Sequence, residues 1–327
     1  MSRPKTLDEF QGQSNRDVID RLRIAIVSAK ERRVALPHIL FYGSAGLGKT
    51  TLSNIVANEM DSKCIVRTGG SIASQSDLFS VLYEVDTLQR QGDNALLFFD
   101  EIHKLSVSGM PEEIFYSLLE EFIFHSTLAG TKTTLNGVEG TIENDTLITT
   151  KPFTIIGATT SPGSLKKPLR DRFAIHCYLK PYSVEDLVKV LSFNLNQEKI
   201  QASNEALHEL ARRARGVPRV VINYLLSCRD RAIYKHEKEI SKETVDEEMT
   251  LQGVEYDGLT QLDVKILQVL ARNPKGMGLK TLAGTCSIDN ATLEEMVLPF
   301  LQAQEFVKTT TKRFITESGI ARLKEIK

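Results

Sequence analysis

Eight consecutive residues of this chain, Gly43-Ser44-Ala45-Gly46-Leu47-Gly48-Lys49-Thr50, combine three glycines with a lysine and a hydroxyl. Glycines at that spacing let successive backbone N–H groups curl around phosphate oxygens, and a helix starting at their end adds its partial positive charge. In such a loop Lys49 reaches the β- and γ-phosphates of a nucleoside triphosphate, and the Thr50 hydroxyl is a ligand for Mg²⁺. Further along, Phe98-Phe99-Asp100-Glu101 ends an apolar run in adjacent carboxylates. At a strand's end Asp100 would coordinate Mg²⁺ and Glu101 would polarise an attacking water. An isolated Asp-Glu pair is equally well a solvated strand end; the phosphate loop upstream selects the catalytic reading.

Three further groups carry weaker signals. Thr159-Thr160 follows another apolar run, where a hydroxyl orients water near a γ-phosphate or simply belongs to a turn with Pro162 and Gly163. His103 either senses the site or is a satisfied structural histidine. In Leu169-Arg170-Asp171-Arg172-Phe173 two arginines flank an aspartate. One guanidinium there stabilises a transferring phosphoryl group, or the cluster is an exposed set of internal ion pairs. Gly216-Val217-Pro218-Arg219 breaks two helical stretches and sets Arg219 at a helix start, where it bridges to nucleotide or caps a neighbouring carboxylate.

These groups need a scaffold, and the first half of the chain supplies the pattern of one. Short apolar runs at 38–42, 64–66, 95–100, 153–157 and 175–179 alternate with amphipathic stretches, which predicts an α/β fold, a parallel sheet covered by helices on both faces. The P-loop then lies between the first strand and the helix at 50–60, and the fourth strand lies beside the first. Between 126 and 150 threonine, glycine and asparagine dominate, and Thr133-Thr134-Leu135 is expected to pair with Thr146-Leu147-Ile148 as a hairpin, or the segment is a surface loop. Residues 182–253 read as helical throughout, with Ser183 and Asp186 as a helix start. From 254 onward, helical stretches near 260–272, 279–285 and 290–303 precede two short strands around Thr309 to Arg313, the plan of a winged helix-turn-helix. The expected domains are therefore 1–181 with an inserted hairpin or loop at about 126–150, an all-α lid at 182–253, and a winged helix at 254–327.

Composition sets the outer bounds. The net charge is −1, so any nucleic-acid contact must come from local patches or many subunits acting together. Residues 301–327 hold six basic and three acidic side chains, and Lys308, Lys312 and Arg313 are the candidates for phosphate contacts. Cys64, Cys177, Cys228 and Cys286 form no C-x-x-C pair, which removes a zinc ribbon and leaves them as small apolar residues expected to be buried. The polar start Met1-Ser2-Arg3-Pro4-Lys5 is not a secretion signal, and no apolar stretch is long enough to cross a membrane, so a cytoplasmic protein is expected.

Taken in order, the strings Arg3 to Phe10 with Gly12-Gln13, Tyr42 to Glu59, Phe99 to Leu105, Phe153 to Thr160, Pro168 to Phe173, Tyr182 and Gly216 to Arg219 resemble the RuvB family of AAA+ ATPases, the bacterial branch-migration motors of Holliday junctions. The resemblance extends through the C-terminal unit. It implies a P-loop ATPase domain, a helical lid and a winged helix, assembled as a hexameric ring around duplex DNA, with ATP and Mg²⁺ as ligands. It implies that Arg3 and Tyr182 hold the base and ribose side, that Gly43, Gly46, Gly48, Lys49, Thr50 and Thr51 hold phosphates and metal, and that Asp100 and Glu101 are the catalytic carboxylates. Thr160 would be the first sensor, Pro218 and Arg219 the second, and Arg172 the finger given to the neighbouring subunit's ATP. The chain departs from the family pattern in a longer 126–150 segment, where the family docks on a junction-recognising partner, RuvA. It also departs in a wing less rich in arginine and in Gly43-Ser44-Ala45-Gly46 where two prolines are common. Two other functions fit the same motifs: a clamp-loader- or helicase-loader-like ATPase, and an ATP-dependent assembly switch on DNA. Intact Asp100, Glu101 and Arg172 argue against the switch.

Overall fold

The computed structural model describes residues 3–107, 112–126, 132–135, 138–141, 146–198 and 201–326. Its backbone forms two compact units, Met1–Gln197 with Val217–Arg219, and Glu198–Gly216 with Val220–Lys327. In the first unit the order is α1 (Arg16–Arg32), β1 (Ile39–Tyr42), α2 (Lys49–Glu59), β2 (Ser62–Thr68), α3 (Gln75–Arg90), β3 (Asn94–Asp100) and α4 (Glu112–Glu121). Then follow β4 (Ile123–Ser126), β5 (Lys132–Leu135), β6 (Val138–Thr141), β7 (Thr146–Thr149), β8 (Thr154–Thr159), α5 (Lys167–Asp171), β9 (Ile175–Tyr178) and α6 (Val184–Glu198).

Five of these strands form one parallel sheet in the order β2-β3-β8-β1-β9, so all five expected strands join it and β1 lies between β8 and β9. The reason is in their composition. Leu96 to Phe99, Ile155, Ile156 and Ile39 to Phe41 are nearly free of solvent, as continuous apolar strands covered on both faces must be. Over one face α3 and α4 contribute Leu78, Leu82, Val85, Leu118 and Leu119 to a core with Leu97 and Phe99. Ser74 starts α3 with a capping box closed by Asp77. His38 secures α4 to the sheet: its Nδ1 accepts the Ile155 N–H at 3.0 Å, and its Nε2 lies 3.0 Å from the Leu119 carbonyl. Burial holds its pKa below the ordinary value, so the ring is neutral and Nε2–H is the donor to that carbonyl.

The inserted segment departs from its expected pairing. Lys132–Leu135 pairs with Val138–Thr141, whereas Thr146–Thr149 pairs with Ile123–Ser126. The result is two nested antiparallel pairs, which satisfy more ladder groups than one hairpin spanning ten intervening residues. Asn136 and Gly137, between β5 and β6 in sequence, lie outside the described residues.

The second unit contains α7 (Asn204–Arg213), α8 (Pro218–Tyr234), whose first two residues belong to the first unit, and α9 (Lys242–Leu251). It continues with α10 (Gln261–Ala271), α11 (Leu279–Cys286), α12 (Leu298–Ala303) after a wider turn at Thr292–Val297, β10 (Val307–Thr309), β11 (Arg313–Ile315) and α13 (Glu317–Glu325). Strands β10 and β11 pair antiparallel as the expected wing. The last helix, α13, was not among the expected elements; its N-cap Thr316 accepts from the Gly319 N–H. Leu259, Ile266, Leu270, Leu282, Leu293, Leu298 and Leu301 form the core of this winged helix. Cys177, Cys228 and Cys286 are buried as expected, but Cys64 is only half-buried, because β2 is the sheet's edge strand. Among the described residues no helix is long and apolar enough to cross a membrane.

Candidate nucleotide site

The phosphate loop leaves β1 at Tyr42 and enters α2 at Lys49. Gly43, Gly46 and Gly48 have φ of 139°, 81° and 102°, backbone that L side chains rarely adopt. Gly46 also lacks room for a side chain: a Cβ there would lie 2.7 Å from Val217 Cγ1 and 3.1 Å from Arg219 Cβ. The N-cap of α2 is Gly48, and no side chain caps it, whereas Ser or Thr oxygens cap α3, α7, α9, α10 and α13. The first-turn N–H groups of α2 are therefore free to meet an anion, which the helix's positive end favours.

Lys49 is 6% exposed, and its ammonium donates to the carbonyls of Gly43 at 2.7 Å and Ser44 at 2.9 Å. Burial lowers its pKa, Glu101 and Asp100 oppose that shift, and Arg219 adds to it. A buried ammonium held chiefly by carbonyl dipoles gains most from an anion placed beside it, so this lysine suits a phosphate ligand. The carboxylates and Arg219 act on Lys49 electrostatically, so residues 49, 100, 101 and 219 share one site.

At the end of β3 the chain turns sharply. Asp100 Oδ1 accepts the Glu101 N–H at 3.1 Å, and Glu101 adopts φ 49°, a left-handed conformation that costs a non-glycine residue about 1 kcal/mol. Glu101 Oε2 then accepts from the Thr160 hydroxyl at 3.1 Å and lies 3.1 Å from His103 Nδ1. The same His103 nitrogen lies 2.9 Å from the hydroxyl of Thr159, which is fully buried and accepts the Ser161 N–H at 3.0 Å. His103 thus belongs to the carboxylate cluster, and Thr159 supports it from within the sheet, a role a threonine pair alone does not assign. Their adjacency is legible only once β8 lies beside β3.

Mg²⁺ fits the donors present. Thr50 and Asp100 offer hard oxygens, and no cluster of three or more His, Cys, Asp or Glu among the described residues makes a closed metal cage. One carboxylate and one hydroxyl beside substrate phosphates is the ordinary arrangement for this ion. Thr51, beside Thr50 on α2, is half-buried.

The remaining candidates divide. Tyr182 is buried against Phe10, their rings 6.4 Å apart edge to face, and its hydroxyl lies 3.5 Å from the Leu47 carbonyl. The N–H of Arg219 approaches the Gly46 carbonyl at 3.4 Å from the first turn of α8, behind Pro218 at its first position. Arg3 is exposed; the chain just after it is tied to the end of α2 by the Leu7 N–H to Glu59 at 3.1 Å. Arg172 is elsewhere. Its Nε lies 3.1 Å from Glu120 Oε1, its Nη1 donates to the Pro168 carbonyl at 2.8 Å, and its guanidinium stacks 4.3 Å above Tyr116. In the wing Lys308 and Lys312 are exposed, while Arg313 is largely covered and lies 3.7 Å from Glu294.

Two supporting groups were missed from sequence. Phe10 packs against Gly48, where a Cβ would lie 3.2 Å from its ring, and Val217 packs against Gly46. Asp186, expected only as a helix-start residue, instead reaches across 172 residues to accept from both the N–H and hydroxyl of Ser14 at 2.8 Å. Burial raises its pKa, but the N–H groups of Ser14 and Gln13, the Ser14 hydroxyl and Lys189 outweigh this, and the net shift is downward. No local pattern in the sequence points to that contact.

Three family profiles match the chain in order: a Holliday junction DNA helicase RuvB P-loop domain over residues 2–179, a RuvB AAA lid domain over 182–255, and a RuvB C-terminal winged-helix domain over 256–324. The chain is 36% identical to the Holliday junction branch migration complex subunit RuvB of Kosmotoga olearia, covering 99% of this chain and 92% of that protein. With the same-named subunit of Lactobacillus johnsonii it shares 37% identity over 98% of this chain and 90% of the relative. Its fold superposes on the Thermotoga maritima RuvB Holliday junction branch migration motor with a TM-score of 0.81 and 31% identity, covering 98% of each chain. The motifs, the sheet order and these relatives agree: the chain belongs to the RuvB family of P-loop AAA+ ATPases.

Proposed function

We propose that this protein is a cytoplasmic ATP-hydrolysing motor that drives branch migration of four-way DNA junctions, working as a ring of identical subunits. The observation that carries the reading is the buried Lys49 ammonium in the field of Asp100 and Glu101, with Glu101 bonded to Thr160. In it, the loop N–H groups, Lys49 and Thr51 bind the triphosphate, and Thr50 and Asp100 would hold its Mg²⁺. Bound there, that ion would supply positive charge to offset the negative charge of the phosphates. Glu101 accepts a proton from the attacking water, and Thr160 orients that water. Tyr182 and Arg3 border the base and ribose, and Pro218 and Arg219 report the nucleotide from the start of α8. Domain limits near 181 and 253 separate ATPase, lid and winged helix.

Arg172 completes the neighbouring subunit's site. Its contacts to Glu120, Pro168 and Tyr116 hold it on the α4–α5 edge, apart from the residues that meet Lys49, which supports action in trans. The wing supplies phosphate contacts through Lys308 and Lys312, and the segment about 126–150 is the candidate docking place for a RuvA-type partner.

Mixed rings test this. Arg172→Ala subunits and Lys49→Ala subunits should each be nearly inactive alone, by ~10³-fold for the arginine. Mixed, they should recover part of the activity, and a four-way junction should raise wild-type turnover. Hydrolysis independent of protein concentration, with no recovery on mixing, refutes the shared site.

A further inference from the structure

Just before the nucleotide-facing turn 217–219 stands an arginine whose side-chain contacts lie in the winged helix. Val217 and Arg219 pack on Gly46 of the phosphate loop. Two residues before Val217 stands Arg215, in a left-handed conformation with φ 55°, and between them Gly216 has φ 74°. Arg215 belongs to the second unit, and its side chain is committed there in three ways. Its Nε donates to the Gly258 carbonyl at 2.8 Å, its Nη2 pairs with Asp263, and its guanidinium stacks 3.9 Å above the Phe300 ring.

Each partner is itself anchored in the winged helix. Asp263 is buried and closes the capping box of α10, accepting the Thr260 N–H at 2.7 Å. Phe300 lies on α12 and packs on the winged-helix core. Gly258 nests against the turn before Arg215, where a Cβ would lie 2.9 Å from the Arg213 carbonyl. The joint leading into α10 is also braced: Val254 bridges Thr260, and the buried Arg322 of α13 donates to Asp257 at 2.7 Å and lies 4.4 Å above Tyr256.

We propose that Arg215 is the positioning residue through which a change at the nucleotide-facing turn 217–219 is passed to the winged helix. This deepens the motor reading and rests on it. Only arginine suits the position, because one planar group must donate to a carbonyl, pair with a carboxylate and stack on an aromatic ring at once. Covalent connection makes the path short. When residues 217–219 move with the bound nucleotide, the α10 cap and Phe300 are carried with them, while slack at this arginine would leave ATP hydrolysis intact and the winged helix uninformed.

The test uses the full-length protein and hydrogen exchange of the amides in 258–267 and 298–303, with and without a non-hydrolysable ATP analogue. In wild type the analogue should change exchange in both segments several-fold. Arg215→Ala should abolish that response in both segments, and Phe300→Leu should abolish it in 298–303, while analogue affinity and DNA-free ATPase stay within about twofold of wild type. Should Arg215→Ala fail to fold, Phe300→Leu, which keeps the ion pair and the cap, decides by whether the 298–303 response is lost. A wild-type response preserved in the variants, no response in wild type, or loss of analogue affinity in the variants would overturn the proposal. Junction migration measured beside it separates the two ideas: a wild type that responds in exchange but migrates no junction refutes the motor reading and leaves the Arg215 linkage standing.

Discussion

The phosphate loop and the wing are both proposed to meet phosphate, yet they are built in opposite ways. In the loop the ligand would be met by backbone: three glycines at positive φ, an uncapped helix start and one buried lysine, packed so closely that a single methyl group at Gly46 has no space. In the wing exposed Lys308 stands on a strand of three residues and exposed Lys312 in the turn before the next, with threonines between them. The first arrangement specifies a shape, and few sequences satisfy it. The second specifies only a charge, which many sequences supply and which salt screens. That difference explains why the loop is recognisable from eight residues while the wing is recognisable mainly from its place at the end of a helical trio.

Four tests break or sharpen this contrast, in falling order of effect. Glu101→Gln, in the shape-specified site, should retain ATP binding and lower steady-state turnover by ~10²–10⁴-fold, the usual contribution of a positioned base; unchanged turnover removes Glu101 from the mechanism. Gly46→Ala forces a Cβ against Val217 in left-handed backbone, and a cost of about 1–2 kcal/mol at the loop should weaken nucleotide affinity by roughly tenfold, read by titration. An affinity equal to wild type would mean the cradle tolerates shape change after all.

The third concerns pH. Asp186 has a folded pKa below its ordinary value, so its stabilisation is complete above the unfolded pKa and is lost as pH falls through the folded one. Asp186→Asn should therefore cost about 1–3 kcal/mol near neutral pH, the range for a hydrogen bond to a charged group, and less in acid below the unfolded carboxylate's pKa. Melts at the two pH values check it, and an equal deficit at both would refute the assigned cause. The smallest effect belongs to the wing. Lys308→Ala and Lys312→Ala should each reduce the slope of log affinity against log salt for duplex DNA by ~1, with DNA-free ATPase unchanged. Arg313→Ala should change that slope less, because its guanidinium is largely covered and faces Glu294.

The five sheet strands were legible because buried parallel strands must be continuously apolar, and 95–100 or 153–157 have no other stable environment. The phosphate loop and the Asp100–Glu101 pair were legible because chemistry limits which residues can occupy them. The inserted segment was not: threonine, glycine and asparagine give no apolar alternation that sets a register, and the backbone pairs Lys132–Leu135 with Val138–Thr141 and Ile123–Ser126 with Thr146–Thr149. Likewise Cys64 was expected inside, but a cysteine's burial depends on whether its strand is central or at an edge.

By itself the sequence determined the fold class, the order of its parts, the glycine-rich P-loop and the family, since each rests on local residue types at fixed spacing. Tertiary structure alone decided which groups meet across long separations: Ser14 with Asp186, His103 with Thr159 and Glu101, Arg172 with Tyr116 and Glu120, and Arg215 with Asp263 and Phe300. Such contacts depend on the summed path of many backbone angles, and no short window of residues contains that sum.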